Sequence, residues 1–377
     1  MKVSTPVRFL LSLAALLMVT SAAVVVRAQD ARSALTNFPE SQAVLYINAK
    51  RLINEAAPSI VPPEVLNKAL NDARQFIDLN GLDYVIAGAR LRGEVSMTNP
   101  PEVLLIVRGS FSADGLLSVA RMAAPQGMYV QETHGGKTVN VFTLNKPAPA
   151  DGASGDQPAK KFPVDQIAAV ALDANTLAIG IPAYLRDAID ASTGGQGVRL
   201  KPELVDLAVR DANTLVSIVT DMPPAMSQHL RKFGMPPNAE IEGMIDAVRQ
   251  VQLSVNMLPA VFGVQTILRM DGAEKAATLS GLINTGTRFL EGQLQKEVEK
   301  SGGKDDKAVS ALQVLKTLTN TASGNEVALN VTFRQATLAE IVKKEMSKPK
   351  KKADTATSAA PGAKKGAAVR RRRPRRK

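Results

Sequence analysis

Residues that could perform catalytic chemistry are few in this sequence, and their spacing matches no catalytic arrangement. The two histidines, His134 and His229, are 95 residues apart, so neither belongs to a His-x-x-x-His pair that would bind a metal ion. No Gly-x-Ser-x-Gly turn accompanies them. Ser301 and Lys304 have Ser-x-x-Lys spacing, but the surrounding SGGKDDK is a helix-breaking loop that would not hold a nucleophile in place. We therefore predict that the protein is not an enzyme, with a hydrolase of unrecognised mechanism as an alternative.

The sequence also lacks the elements of cofactor and metal sites. The Gly-rich stretches GSFSADG (109–115) and STGGQGV (192–198) do not have the Gly-x-x-x-x-Gly-Lys-Ser/Thr pattern of a phosphate-binding loop. Glu240, Glu242 and Asp246 cluster where a helix should begin, which favours interaction with the helix dipole over catalysis. The chain contains no Cys, which excludes disulfides and thiolate ligands. We predict no cofactor and no metal ion.

Positive charge is concentrated at the carboxyl-terminal end. Residues 343–377 contain 15 Lys and Arg against two acidic residues, whereas residues 29–342 contain 29 basic and 33 acidic residues. Residues 346–377, the basic tail, have almost no large apolar side chains and contain three prolines, so we expect them to be disordered. Clustered Lys and Arg are attracted to lipid headgroups, lipopolysaccharide or acidic polymers. The residues predicted to contact such polyanions are Lys350, Lys351, Lys352, Lys364, Lys365, Arg370, Arg371, Arg372, Arg373, Arg375, Arg376 and Lys377.

Two other roles for the basic tail are compatible with the sequence. The tail could bind nucleic acid, since contact with phosphate requires only positive charge. It has no aromatic residue to stack on bases, however, and the rest of the chain has no recognised nucleic-acid-binding motif. The tail could also serve only to keep the protein soluble. We predict contact with an anionic envelope surface, with nucleic-acid binding as the alternative, and we predict no particular protein partner.

The amino terminus has the pattern of a secretory signal peptide, predicted over residues 1–28. Two basic residues precede an apolar run over residues 9–26, and the sequence VRA then supplies a cleavage pattern. The expected cut lies between Ala28 and Gln29. We predict an exported protein, either periplasmic or secreted. In the alternative, residues 9–26 anchor the chain in the inner membrane with the body outside the cytoplasm, because positive charge stays inside.

Strands and helices are predicted from the spacing of apolar residues. In GNEVALNVTFRQ, the alternating Val327, Leu329, Val331 and Phe333 should share one face of a strand. Apolar residues of SADGLLSVARMA follow a helical period, and Ser112 could cap this helix. Farther along, DGAEKAATLSGLINTGTRFLEGQLQKEVEK predicts one long helix. The next stretch, AVSALQVLKTLTNTA, predicts another helix after the SGGKDDK break.

Together these segments predict an α+β fold of two tandem domains of β-α-β-β-α-β type, with mainly antiparallel sheets and helices on one face. The first domain should cover residues 29–198, including a flexible Pro-, Ala- and Gly-rich loop at 146–162. The second should cover residues 199–345. Residues 103–117 and 264–279 both contain a strand, an arginine, a polar turn and a helix in that order, which suggests an internal duplication.

One stretch resembles a known group of proteins. FPESQAVLYINAKRL (38–52), a Pro-led strand followed by an asparagine and a short helix, resembles exported bacterial proteins that carry a repeated α+β domain of unknown function. Those proteins also have a signal peptide. The resemblance implies the fold and export, and it implies no activity because none is established for that group. The basic tail is not part of the group's pattern.

Overall fold

The computed structural model describes residues 28–74, 77–91, 100–125, 127–145, 164–195, 197–223, 228 and 239–347. Within these residues the protein has the α+β fold that the sequence predicts, dominated by antiparallel strands. The signal segment up to residue 27, the loop at 146–162 and tail residues 348–377 lie outside the described part of the chain.

The described strands form one sheet. They are β1 (Ala43–Ile47), β2 (Leu82–Arg90), β3 (Glu102–Gly109), β4 (Tyr129–His134), β5 (Lys137–Thr143), β6 (Gln166–Asp173), β7 (Thr176–Gly180), β8 (Thr214–Asp221), β9 (Val248–Leu258), β10 (Val261–Met270), β11 (Thr319–Ser323) and β12 (Glu326–Arg334).

The described helices follow the same chain order. They are α1 (Ala28–Thr36), α2 (residues 49–60, with a π-helical turn at Leu52–Ala56), α3 (Pro63–Arg74), α4 (Ala113–Ala123), α5 (Pro182–Ser192), α6 (Pro202–Ala208), α7 (Ala239–Asp246), α8 (Ala273–Lys300), α9 (Asp306–Leu315) and α10 (Gln335–Ser347).

The two halves of the chain share part of their strand order. Across the sheet the order is β11-β12-β10-β9-β8-β1-β2-β3-β7-β6-β5-β4, and the neighbours run antiparallel. The first half therefore reads β1-β2-β3-β7-β6-β5-β4, and the second reads β8-β9-β10-β12-β11, so β4 and β5 have no counterpart among the described strands of the second half. The halves join where β1 pairs with β8 and Leu45 lies opposite Ile218. The segments that suggested a duplication are β3 with α4 and β10 with α8, at equivalent places in this order. The duplication and a boundary at residue 198 stay predictions.

Helices cover both faces of the sheet, which corrects the expectation that they lie on one face. Face A carries Val44, Ile86 and Ile106 and is covered by α1, α5 and α6. Face B carries Val85 and Val107; α2, α3 and α10 cover it near these residues, and α7 and α8 lie on the same face in the second half.

The physical reason lies in the central strands, which are buried on both faces. Strand β2 buries three consecutive residues, Tyr84, Val85 and Ile86. A strand exposed on one side alternates apolar and polar residues, whereas a strand covered on both sides is a continuous apolar run. The sequence DYVIAGARL has such a run.

The end of the second half differs from its prediction. The helix predicted through AVSALQVLKTLTNTA ends at Leu315, and Thr319–Ser323 instead forms the edge strand β11, which pairs with β12. The turn between them contains Gly324 with a φ of 56°, a left-handed conformation that glycine adopts without strain. Strand β4 and helices α1 and α6 also form without having been predicted.

Two local predictions are confirmed. The Ser112 hydroxyl accepts a hydrogen bond from the Gly115 amide at 3.0 Å and so caps α4. The alternating apolar residues of β12 do share face B, because Val327 lies opposite Leu268 and Phe333 lies opposite Phe262.

Candidate binding surface along helix α8

Helix α8 is long and only partly packed. It contains 28 residues, so it is about 42 Å long at 1.5 Å per residue. Its fully buried residues are Ala276 and Ser280, both near the amino-terminal end. That end is fixed to the sheet, because the Asn320 side-chain amide donates to the Ser280 carbonyl at 2.7 Å. The remaining two-thirds of the helix therefore presents much of its surface to solvent.

Large apolar side chains are exposed on this part of α8. Leu282, Phe289 and Leu290, here called the apolar stripe, are 42%, 65% and 53% exposed. Phe289 follows Leu282 along one side of the helix, whereas Leu290 is turned about 100° from Phe289 toward α9, so the three side chains form a band roughly 100° wide. Single exposed apolar residues are ordinary, but a continuous apolar patch marks an interaction surface.

A cleft between α7 and α8 adjoins the apolar stripe. This α7–α8 cleft has a volume of about 330 Å³. The described residues that line it are all apolar: Ile241, Met244, Ile245, Val248, Leu268, Leu279, Leu282 and Ile283. Its floor is the sheet, at Val248 of β9 and Leu268 of β10. The cleft is therefore suited to an apolar group without hydrogen-bonding atoms.

A second apolar hollow lies on the other flank of α8. It has a volume of about 430 Å³ and is lined by Leu290, Leu294, Ser310, Ala311, Val314, Leu315, Leu318 and Val331. Ser310 is the one polar residue among them. Because Leu290 belongs to both this hollow and the apolar stripe, the apolar surface continues around the helix.

Among the described residues, the sheet itself is incompletely covered beside the α7–α8 cleft. Leu253 of β9 lies directly opposite Ile218 of β8, and these side chains are 41% and 42% exposed on face B. Val251, two residues before Leu253 on the same face, packs with Leu268 in the floor of the cleft. The apolar floor therefore extends from the cleft across neighbouring strands.

A polar cavity of about 330 Å³ lies elsewhere, on face A between α1 and α5. Arg108 and Lys137 line it, but the protein's own groups occupy part of their donor capacity. Arg108 donates to Asp173 Oδ2 and to Thr176 Oγ1, each at 3.2 Å, and Lys137 donates to the Leu172 carbonyl at 2.9 Å. These bonds hold the β6–β7 turn in place, so we assign the cluster a structural role.

The predicted site residues do not come together in the structure. The twelve Lys and Arg of the tail lie outside the described residues, as does His229, while Ala28 and Gln29 form the first turn of α1. His134 is on β4, where its Nε2 lies 2.9 Å from Asp190 Oδ1. Ser301 donates its hydroxyl to the Val298 carbonyl at the end of α8, as expected of a residue that terminates a helix.

Metal and membrane-spanning features can be stated for the described part of the chain. Among those residues, no group of three or more His, Asp and Glu side chains is placed to hold a metal ion. Within the same residues, every helix is too short or too polar to cross a bilayer. The apolar surface along α8 is therefore the feature of the described structure that most needs explanation.

Sequence reasoning identified α8 as a helix but not as an apolar surface. Leu282, Phe289 and Leu290 recur with helical spacing, and such spacing ordinarily indicates the side that packs into a core. The sequence did contain one indication of an exposed apolar surface, namely the number of apolar residues around this helix. Leu279, Ile283, Leu290 and Leu294 fall on one side and already supply a packing side, which leaves Leu282 and Phe289 in excess.

Comparison with known proteins gives no family for this chain. The sequence matches no family model and no curated protein. Among solved structures it is similar to crystal forms III and IV of TP0453, each with a TM-score of 0.39 and 9% identity over 82% of this chain. These alignments cover 97% and 95% of the respective TP0453 chains. Crystal form I gives a TM-score of 0.36 and 8% identity, over 82% of this chain and 96% of that one. Similarity of this degree carries no argument about fold or function.

Proposed function

We propose that this chain is an exported, non-catalytic protein of the cell envelope that binds anionic lipid surfaces. In this proposal the basic tail contacts the headgroups, and the apolar stripe of α8 contacts the acyl region beneath them. The exposed apolar stripe is the observation that carries the proposal, since its three side chains stay 42%, 65% and 53% exposed even though Leu282 also lines the α7–α8 cleft and Leu290 the hollow beside α9. The signal-like sequence of residues 1–28 supports export.

The charge distribution supports different roles for the basic tail and for the rest of the chain. Residues 29–342 carry more acidic than basic residues, so an anionic surface would repel this part of the chain at long range. The tail supplies the opposite sign, and each Lys or Arg near an anionic surface contributes up to about 1 kcal/mol. Helix α10 includes the first two residues of the segment predicted as tail and ends at Ser347, and the rest of the tail follows directly. Attraction through the tail therefore brings the body to the surface.

Apolar contact would then hold the body in one orientation. Complete burial of a Leu or Phe side chain stabilises by roughly 1.5–3 kcal/mol, and a half-exposed side chain can gain about half of this. Leu282, Phe289 and Leu290 together would contribute an energy similar to that of several tail charges. Salt screens the charge contribution and leaves the apolar one, so the two contributions can be measured separately.

The test is co-sedimentation with vesicles of phosphatidylglycerol and phosphatidylcholine. Binding is measured at about 0.1 M and about 1 M NaCl, where the Debye length falls from roughly 10 Å to roughly 3 Å. The chain from Gln29 should bind strongly at the lower salt concentration, and a chain shortened after Ser347 should lose most of that binding. The double variant Phe289→Ser/Leu290→Ser should lose the binding that persists at the higher salt concentration.

A matched control is available on α4, where Val119 and Met122 are exposed apolar residues outside the stripe. Val119→Ser/Met122→Ser should bind vesicles as the unchanged chain does. If the stripe variant binds as well as this control at both salt concentrations, α8 does not contact lipid. If shortening the chain leaves binding unchanged, the tail does not contact headgroups. If shortening the chain reduces binding to duplex DNA as much as it reduces binding to vesicles, the tail attracts polyanions in general.

A further inference from the structure

We infer that the α7–α8 cleft takes up the acyl chain of a single lipid or fatty acid molecule. This inference rests on the proposed function and goes beyond it, because adsorption to a bilayer requires only the protruding stripe. Uptake of one acyl chain would make the protein a carrier or holder of individual lipid molecules.

The lining of the cleft defines the chemistry of its ligand. Eight apolar side chains surround it, and burying a hydrogen-bonding group among them would cost free energy because no partner is provided. The bound part of the ligand must therefore be hydrocarbon. Specific recognition of a sugar, nucleotide or peptide backbone would require polar groups in the lining.

The shape of the apolar floor favours a linear chain over a compact group. From Leu268 on β10 the floor passes to Val251 and Leu253 on β9 and then to Ile218 on β8. These three strands are neighbours, and at about 4.8 Å per strand the track is roughly 10 Å long. An extended run of methylene groups has the width and length to follow it.

The cleft opens to solvent, so a headgroup can stay outside. Ile241 on α7 and Leu282 on α8 line the cleft and are also 47% and 42% exposed, which places them at its mouth. A flat leaflet can reach Phe289, which is 65% exposed and lines neither the cleft nor the hollow beside α9. The floor at Val248 and Leu268 lies on the sheet beneath α7 and α8. A single acyl chain that has left the bilayer fits there better than a leaflet does.

The test uses a tryptophan reporter, because the chain contains no Trp of its own. Ile241→Trp places one indole at the mouth of the cleft, and Met122→Trp places one on α4 as a matched control. The probe is 12-bromododecanoate, kept below the concentration at which it forms micelles. Its bromine should quench Ile241→Trp fluorescence saturably, at one probe per chain, and should quench Met122→Trp only by collision.

A second substitution tests whether quenching reports the cleft. Adding Leu282→Glu to Ile241→Trp should weaken saturable quenching by at least about tenfold, because the carboxylate would be desolvated beside the bound chain. Adding Val119→Glu, on α4, should leave quenching unchanged. Leu282 is exposed, so the charged variant should fold, and circular dichroism verifies this. Quenching that persists with Leu282→Glu, or that is equal at both reporter positions, overturns the inference.

Failure of this inference can be distinguished from failure of the proposed function. If the Ile241→Trp chain sediments with vesicles but the free probe does not quench it saturably, the cleft inference is overturned and surface binding stands. If the probe saturates the reporter while vesicles bind no protein, acyl uptake is supported and the proposed surface contact fails. Phe289→Ser/Leu290→Ser should reduce sedimentation without changing quenching, because neither residue lines the cleft.

Discussion

Helices α5 and α8 both carry apolar residues at helical spacing, but they use them differently. Helix α5 has 11 residues, of which five are buried: Tyr184, Leu185, Ala188, Ile189 and Ala191. Helix α8 has 28 residues and buries two of them fully. The shorter helix is therefore part of the core on face A, while most of the longer helix lies on the surface of face B.

Polar contacts reinforce this difference. Arg90 on β2 donates to Asp187 of α5 at 2.6 Å, and its guanidinium lies 4.3 Å from the centre of the Tyr184 ring. The Tyr184 hydroxyl also donates to the Glu40 carbonyl at 3.2 Å and bonds with Ser41, and burial raises the pKa of Tyr184 to about 12. Helix α8 is hydrogen-bonded to β11 at Ser280, and its later turns lie beside α9. The helix that forms the core and the helix proposed to bind lipid are thus different.

The largest expected effect on stability is at α5. Leu185→Ala removes a fully buried side chain from the core on face A and leaves a cavity. We expect the free energy of unfolding to fall by about 3 kcal/mol, as for other buried Leu→Ala substitutions. Urea denaturation followed by circular dichroism measures this. A loss below about 1 kcal/mol would mean that α5 does not contribute more to stability than α8 does.

A smaller effect is expected where α5 is tied to the sheet. Arg90 also donates to Glu102 Oε2 at 2.7 and 2.9 Å, and hydrogen bonds to Asp187 and Glu102 raise the pKa of Arg90 despite its burial. Arg90→Met leaves the carboxylates of Asp187 and Glu102 without their cation. We expect the free energy of unfolding to fall by about 2 kcal/mol, because the Arg90 side chain is largely shielded from water.

The control for Arg90→Met is Arg108→Met, which removes a pair that is substantially exposed at both partners. We expect this variant to lose less than about 1 kcal/mol, since solvent screens exposed ion pairs. Both arginine variants are measured in the same denaturation experiment. If they lose the same free energy of unfolding, the contact between Arg90 and α5 stabilises the protein no more than an exposed ion pair does.

The smallest effect is expected for the same chemical change on α8. Leu290→Ala removes as many atoms as Leu185→Ala, but the side chain is about half exposed. We expect the free energy of unfolding to change by no more than about 0.5 kcal/mol, partly because Ala favours the helix. A loss close to that of Leu185→Ala would show that Leu290 belongs to the core and not to a binding surface.

Local sequence predicted most of the elements but not their environment. The cap at Ser112 and the shared face of Val327 and Phe333 depend on a few neighbouring residues, and both are confirmed. Strand β11 was predicted as helix because the helical pattern of AVSALQVL was extended through TLTNTAS, although its three Thr favour a strand, and pairing with β12 through the turn at Gly324 gives it that conformation. The candidate binding surface was not predicted, because apolar spacing on a helix is the same whether the side chains pack inward or face solvent, and only the excess of apolar residues around α8 indicated it.

The sequence by itself determined the α+β class, the order of most elements and the separation of a basic tail from an acidic body, since these depend on composition and local periodicity. Tertiary structure alone decided three other features: the joining of both halves in one sheet through β1 and β8, the covering of both sheet faces, and the exposure of the stripe on α8. The physical reason is that burial depends on which distant segments meet. Leu185 and Leu290 have the same side chain and the same helical conformation, and only the packing around them makes one a core residue and the other a surface residue.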